Sequence, residues 1–289
     1  MKSIKPTDHP QKVGWYESHY KCSERLKNSN CSLLLIGDSI INGLSRYNRV
    51  WNSFFSPLKT VNCGVGGDKT QHVLWRAREM YIPPTVKYIV VQVGTNNLNS
   101  DTSRDISEGI MSIASILQEK SPLAQIIITG LLPRDLNWSD RRRKIDEINV
   151  QLKLLIQGRK NIYFMEQDSD WTTLNNQLNM KYYYKDFLHL IESGNKKLAL
   201  SITHFLSIIK LVTLKSLRVS SSYLSPSSLS PNIIKSKATV QKSLIQSHFA
   251  LSFCRPHISH TSISCTPQVH NVSKIYHRSI HTPCIYQSS

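Results

Sequence analysis

Four short stretches of this sequence carry residue types that could perform acyl-transfer chemistry. The first is Gly37-Asp38-Ser39, directly after the apolar run Leu33–Ile36. A serine where a strand gives way to a helix stands at the C-terminal edge of a sheet. Its backbone N–H then points outward with the helix dipole behind it, a setting that favours an oxyanion. Taken singly, Asp38 and Ser39 are ordinary helix caps. The second stretch, Asn62 to Asp68 (NCGVGGD), puts Gly64, Gly66 and Gly67 after another apolar run, letting backbone approach a reacting atom closely. It matches neither GxGxxG nor GxxxxGK[ST], so a phosphate loop is poorly supported.

The third stretch is Gly94-Thr95-Asn96-Asn97 at the end of the most apolar run, where Asn96 offers neutral N–H donors. The fourth is Asp186-Phe187-Leu188-His189. A carboxylate three residues before an imidazole can hold its Nδ1 proton, fix the tautomer and leave Nε2 free to take a serine proton. Alone, such a pair reads as a surface contact. Together the four supply nucleophile, base, base-orienter and oxyanion donors. The G-x-S-x-G elbow of α/β-hydrolases is absent around Ser39.

These residues need a scaffold that brings strand ends together. Leu33–Ile36, Thr60–Cys63, Val86–Val93, Ile126–Thr129 and Ile162–Met165 are short, apolar and β-branched, and glycine bounds the first four, which predicts strands buried on both faces. Ile106, Ile110, Ile113 and Leu117 share one helical face between a Thr102/Ser103 start and Ser121-Pro122. Ile145, Ile148, Leu152, Leu155 and Ile156 form a second such face, ended by Gly158. Strands alternating with helices predict a three-layer α/β/α sandwich around a five-stranded parallel sheet.

Charge divides the chain. Residues 1–200 hold 27 Lys+Arg and all 19 Asp+Glu, whereas residues 201–289 hold 9 Lys+Arg and no acid. The formal net charge of +17 therefore describes the tail as much as the folded part. From these contrasts the sequence predicts a domain over 1–205 and a basic, Ser-rich, disordered tail over 206–289. The tail has neither aromatic interleaving nor a fold motif, so it argues against a nucleic-acid partner.

Cys22, Cys31, Cys63, Cys254, Cys265 and Cys284 show no CxxC pair and no zinc-like spacing, and read as reduced thiols in a cytoplasmic protein. The N-terminus has no apolar signal-like core, and three N-x-S sequons read as chance. Leu198–Leu214 is apolar but carries His204 and Lys210, which argues against a membrane span. His72 reads as structural.

Gly37-Asp38-Ser39, Gly67, Asn96 and Asp186-x-x-His189 match, in order, the four blocks of the SGNH (GDSL-like) hydrolases, which the chain resembles. GVGGDKTQHVLWR, VGTNN, GLLPR and DFLHL make the closer likeness to the catalytic subunits of intracellular platelet-activating-factor acetylhydrolase. The resemblance spans about residues 12–204 and stops before the tail. It implies a serine esterase for short-chain, acetyl-type esters, with a small ester or phospholipid as substrate. Ser39 would be the nucleophile, His189 the base and Asp186 its orienter. The oxyanion hole would comprise the N–H groups of Ser39 and Gly67 and the Asn96 amide, and Ile40, Thr95 and Leu188 would line the acyl pocket. No cofactor or metal is implied, and pairing into homodimers or heterodimers is. The rival readings are a catalytically idle SGNH module that binds a protein partner, and a nucleic-acid-associated protein acting through its tail.

Overall fold

Short runs of Leu, Ile and Val that must bury both faces leave little choice but a parallel sheet covered on each side. The computed structural model of the chain describes residues 5–9 and 12–222, with side chains to position 213. Its strands are β1 (Leu33–Gly37), β2 (Thr60–Gly64), β3 (Tyr88–Gln92), β4 (Gln125–Thr129) and β5 (Ile162–Met165). They form one sheet in the order β2-β1-β3-β4-β5, every neighbouring pair parallel. All five fall on the predicted runs, β3 being shorter than the expected Val86–Val93 by two residues at its start and one at its end.

Pleating sends alternate residues to opposite faces. Leu34, Ile36, Ile89, Val91, Ile126 and Ile128 pack against α1 (Trp15–Asn28), α4 (Thr70–Glu79), α5 (Ser103–Lys120) and α6 (Asp140–Leu155). Leu33, Leu35, Val90 and Ile127 pack against α2 (Ser39–Gly43), α3 (Asn48–Phe54) and α7 (Glu192–Ser222). The result is the expected α/β/α sandwich. Thr102 and Ser139 cap α5 and α6 by accepting the Asp105 and Arg142 N–H groups. Ile106, Ile110, Ile113 and Leu117 are all buried, as their spacing requires.

The order of the strands also creates a crevice. From β1 the chain turns to α2 on one face, and from β3 it turns to α5 on the other. At such a switch point the loops diverge and leave a crevice beyond the C-terminal strand ends.

Two expectations are corrected. Cys22 and Cys63 are not reduced: they form a disulfide between α1 and β2, their Cα atoms 5.5 Å apart. The pairing spans 41 residues, and only the packing of α1 on β2 brings the thiols together. Cys31 is a buried free thiol, and Cys254, Cys265 and Cys284 lie outside the described residues. The expected end of order at 205 falls inside α7, which runs on to Ser222. Leu206 and Ile209 are buried in the core beyond that point, because the helix keeps an apolar face where the composition has already turned basic. The remainder of the tail expected to be disordered, residues 223–289, lies outside the described residues. Among the described residues no helix is long and apolar enough to cross a membrane.

A chain ending at Phe205 loses the buried side chains of Leu206 and Ile209. It should be less stable than a chain ending at Ser222 by about 3–6 kcal/mol, measured by urea unfolding of both.

Candidate active site

The nucleophile candidate is fixed by its neighbours. Ser39 opens α2, and Asp38 caps that helix by accepting the Ile40 N–H through Oδ1 at 2.9 Å. The Asp38 N–H donates to the Gln92 carbonyl at 3.3 Å, which extends the β1–β3 pairing to the turn itself. The Ser39 and Gly67 N–H groups have no hydrogen-bond partner among the described residues.

The glycine-rich turn must lie against that serine. A Cβ on Gly64 would sit 2.2 Å from the backbone N of Asn42, so only glycine allows β2 to run beside α2. Gly67 has φ +79°, a left-handed conformation that glycine adopts without strain. A Cβ on Gly66 would meet the Ser39 Cβ at 3.7 Å, which places the turn in contact distance of the nucleophile. Asn62 locks the approach, donating to the Ile41 carbonyl at 2.7 Å and accepting the Gly64 N–H at 2.8 Å.

Arg76 and Asp68 join these loops from beneath. Both side chains are fully buried, and the guanidinium meets the carboxylate at 2.8 Å. Arg76 also donates to the carbonyls of Cys63 at 2.7 Å and Gly37 at 3.0 Å. The Trp15 indole N–H donates to Asp68 at 2.7 Å, and the Asp68 carbonyl accepts from the Asn96 amide at 2.9 Å. One Asn96 N–H is thereby held, which aims the half-buried amide and leaves its second N–H available. Burial pushes the Asp68 carboxyl up, against the pull of the Arg76 charge and the Trp15 hydrogen bond.

The base arrives from a separate loop. His189 Nδ1 lies 2.7 Å from Asp186 Oδ2, and its Nε2 lies 2.9 Å from Ser39 Oγ. An ionised carboxylate only accepts, so the ring proton belongs on Nδ1 and Nε2 is the acceptor toward serine. Asp186 Oδ1 accepts the backbone N–H groups of Leu188 at 3.1 Å and His189 at 2.9 Å. Partial burial works to raise its pKa, but these bonds and the one from the ring hold it below the usual carboxylate range. Phe187 takes φ +56° between acid and base, a costly turn for an aromatic residue. Its carbonyl is anchored by the Asp135 N–H at 3.0 Å, and the His189 carbonyl by the Tyr184 N–H at 2.8 Å.

Ile40, Thr95 and Leu188 border one cavity of about 10 Å³, together with Gln92, Leu132 and Asp38, so that both chain neighbours of Ser39 line it. Arg134 steadies its wall by donating to the Thr95 carbonyl and hydroxyl at 3.3 and 3.2 Å. A roomier groove of about 510 Å³, lined by Trp138, Arg142 and Lys153 among others, lies along α6 and holds none of the four stretches. His72 accepts the Lys69 N–H at 3.1 Å. His72 and His19 are buried and pushed down to about 4, chiefly by that burial, which leaves both neutral and structural. No cluster of three metal-ligating side chains occurs among the described residues.

The structure thus brings together Ser39, Asp186 and His189, and ties Gly67 and Asn96 into the loops around them. Sequence reasoning missed Arg76, Asp68 and Arg134. The one available signal was Arg76 itself, an arginine on the apolar face of α4 beside Val73 and Ala77.

Residues 35–197 match the GDSL-like lipase/acylhydrolase family. The alpha2 subunit of platelet-activating factor acetylhydrolase IB from Homo sapiens is 33% identical over 187 residues, 64% of this chain and 80% of the relative. The alpha1 subunit from Homo sapiens is 32% identical over 183 residues, 62% of this chain and 77% of the relative. A solved GDSL-like lipase from Bacteroides thetaiotaomicron shares the fold, with TM-score 0.54 and 20% identity, covering 67% of this chain and 98% of that one.

Asp38 offers a test of the buried turn. Burial pushes its carboxyl from 3.8 up to about 7. A carboxyl raised on folding contributes its full stability below the unfolded value and loses it as pH climbs toward the folded one. Asp38→Asn keeps an oxygen for the Ile40 N–H and removes the ionisation. It should gain on the parent by on the order of 2–3 kcal/mol between about pH 5 and pH 7 in paired urea unfolding curves.

Proposed function

Because the chain belongs to the GDSL-like lipase/acylhydrolase family, we propose that it is a serine esterase acting through an acyl-Ser39 intermediate on esters with a two-carbon, acetyl-sized acyl group. The observation that carries this reading is the continuous chain from Asp186 Oδ2 through His189 to Ser39 Oγ, with contacts of 2.7 and 2.9 Å.

In this mechanism Ser39 Oγ attacks the ester carbonyl while His189 Nε2 takes its proton. The imidazolium gives that proton to the departing alcohol and then activates water against the acyl-enzyme. Asp186 holds the ring in register and stabilises its charge. The oxyanion is met by the N–H groups of Ser39 and Gly67 and by the Asn96 amide, donors fixed before the charge develops. Acyl length is limited by the cavity of about 10 Å³ between Ile40, Thr95 and Leu188, which has room for at most one water-sized group beyond the α-carbon of the acyl chain.

The Asp186 and His189 side chains are 50% and 36% exposed, so the alcohol side of the ester faces solvent and is loosely specified. A phospholipid or another small acetyl ester would be accommodated there. The catalytic domain in this proposal extends into α7 past residue 205, and pairing of two such chains is part of it. A cytoplasmic location is also proposed, with the Cys22–Cys63 disulfide as the observation against it.

Ser39→Ala should abolish labelling by a fluorophosphonate and lower p-nitrophenyl acetate turnover by at least about 10⁴-fold with an unchanged circular dichroism spectrum. Turnover at the parental rate would show that Ser39 is not the nucleophile. Asn96→Ala removes one oxyanion donor and should lower kcat by about 10²–10³-fold with KM little changed.

A further inference from the structure

The cavity lined by the chain neighbours of Ser39 is polar in a place where an acetyl methyl group would need only carbon. Gln92 ends β3 (Tyr88–Gln92), following the apolar Ile89, Val90 and Val91. Gln92 is 2% exposed and Asp38 1%, and both residues border the cavity. Gln92 Oε1 and Asp38 Oδ2 are each buried with no hydrogen-bond partner among the described residues, whereas Asp38 Oδ1 holds the Ile40 N–H.

Two unpaired oxygens against Ile40, Leu132 and Leu188 carry a heavy desolvation penalty unless something in the cavity bonds to them. A volume of about 10 Å³ matches one water-sized group. A hydroxyl is such a group, and it both donates and accepts.

We propose that this cavity selects hydroxyacetyl esters, the α-hydroxyl of the acyl group bonding to Gln92 Oε1 and Asp38 Oδ2. The inference rests on the esterase reading and names the acyl group of that same site. The hydroxyl donates its proton to Gln92, and toward Asp38 it accepts when the carboxyl is protonated. Burial raises Asp38 to about 7, so the protonated form is well populated at neutral pH. A propionyl group would set a methyl against both oxygens, and a methoxyacetyl group has no donor and one carbon too many.

In the reaction, Ser39 Oγ bonds to the hydroxyacetyl carbonyl carbon as the bond from that carbon to the alcohol oxygen breaks, and the alcohol leaves with the proton carried by His189. Water then displaces Ser39, releasing hydroxyacetate and restoring the serine hydroxyl.

The experiment compares hydroxyacetyl, acetyl, propionyl and methoxyacetyl esters of one alcohol, each kcat/KM divided by the ester's rate of alkaline hydrolysis. The parent should favour hydroxyacetyl over propionyl and methoxyacetyl by about tenfold or more. Gln92→Leu, apolar like the rest of its strand, should lower the ratio of hydroxyacetyl to acetyl by about tenfold, and Gln92→Met, similar in length, should do the same. Good acetyl turnover with a ratio that neither variant moves would overturn this inference alone. No turnover of any ester by the parent would overturn the esterase reading and this inference with it.

Discussion

The buried ion pair of Arg76 and Asp68 is the interaction on which the arrangement of the site depends. Three loops meet at this rim of the sheet: β1 and the β2 turn direct the carbonyls of Gly37, Cys63 and Asp68 inward, and the loop after β3 supplies the Asn96 amide that bonds the last of them. A single guanidinium beneath them bonds the first two directly and reaches the third through the Asp68 carboxylate. Its planar fork of donors suits this role, which a lysine ammonium could not fill with the same geometry. Taking one partner away from a buried pair generally costs about 3–5 kcal/mol, because the other charge is left unpaired. Here the loss would also release the Gly37, Cys63 and Asn96 anchors together. The pair thus couples the stability of the rim to the positions of the candidate oxyanion donors.

The base is held by different means. Asp186 and His189 sit on a solvent-facing loop that is kept in shape by backbone bonds to Asp135 and Tyr184 and by the strained turn at Phe187. A rigid rim and a lightly anchored base loop suit the division of labour in acyl transfer. Oxyanion donors help only if they are in place before the charge appears. The imidazole must turn slightly between attacking oxygen, leaving oxygen and water, which a loop permits more readily than a strand end.

Much of this was legible in the sequence because the signals are local. Each strand is a short apolar run with a glycine or polar stop, and each of the four stretches occupies a turn whose place follows from the strand before it. What escaped depends on contacts between distant residues. Cys22 and Cys63 meet only through the packing of α1 on β2. Arg76 reads as a polar residue near the end of a helix until its carbonyl partners on β1 and β2 come into view. The continuation of α7 past 205 was hidden for another reason. Charge and serine content change at the point where the apolar face of Ile202, Phe205, Leu206 and Ile209 still runs unbroken. Composition marks where acids stop, and periodicity marks where the core stops.

Asp38 joins the two halves of the site. One of its oxygens caps α2 and so sets the angle at which Ser39 presents its hydroxyl, while the residue also borders the cavity that would receive the acyl group. A neutral residue could cap the helix equally well, so the cap alone does not explain a carboxyl buried at this cost. Its position on the cavity wall supplies a second role, as does Gln92, the polar end of an apolar strand. In the proposed esterase the turn that exposes the serine would also shape what the serine can reach, so that reactivity and selectivity would share one residue of the β1–α2 turn.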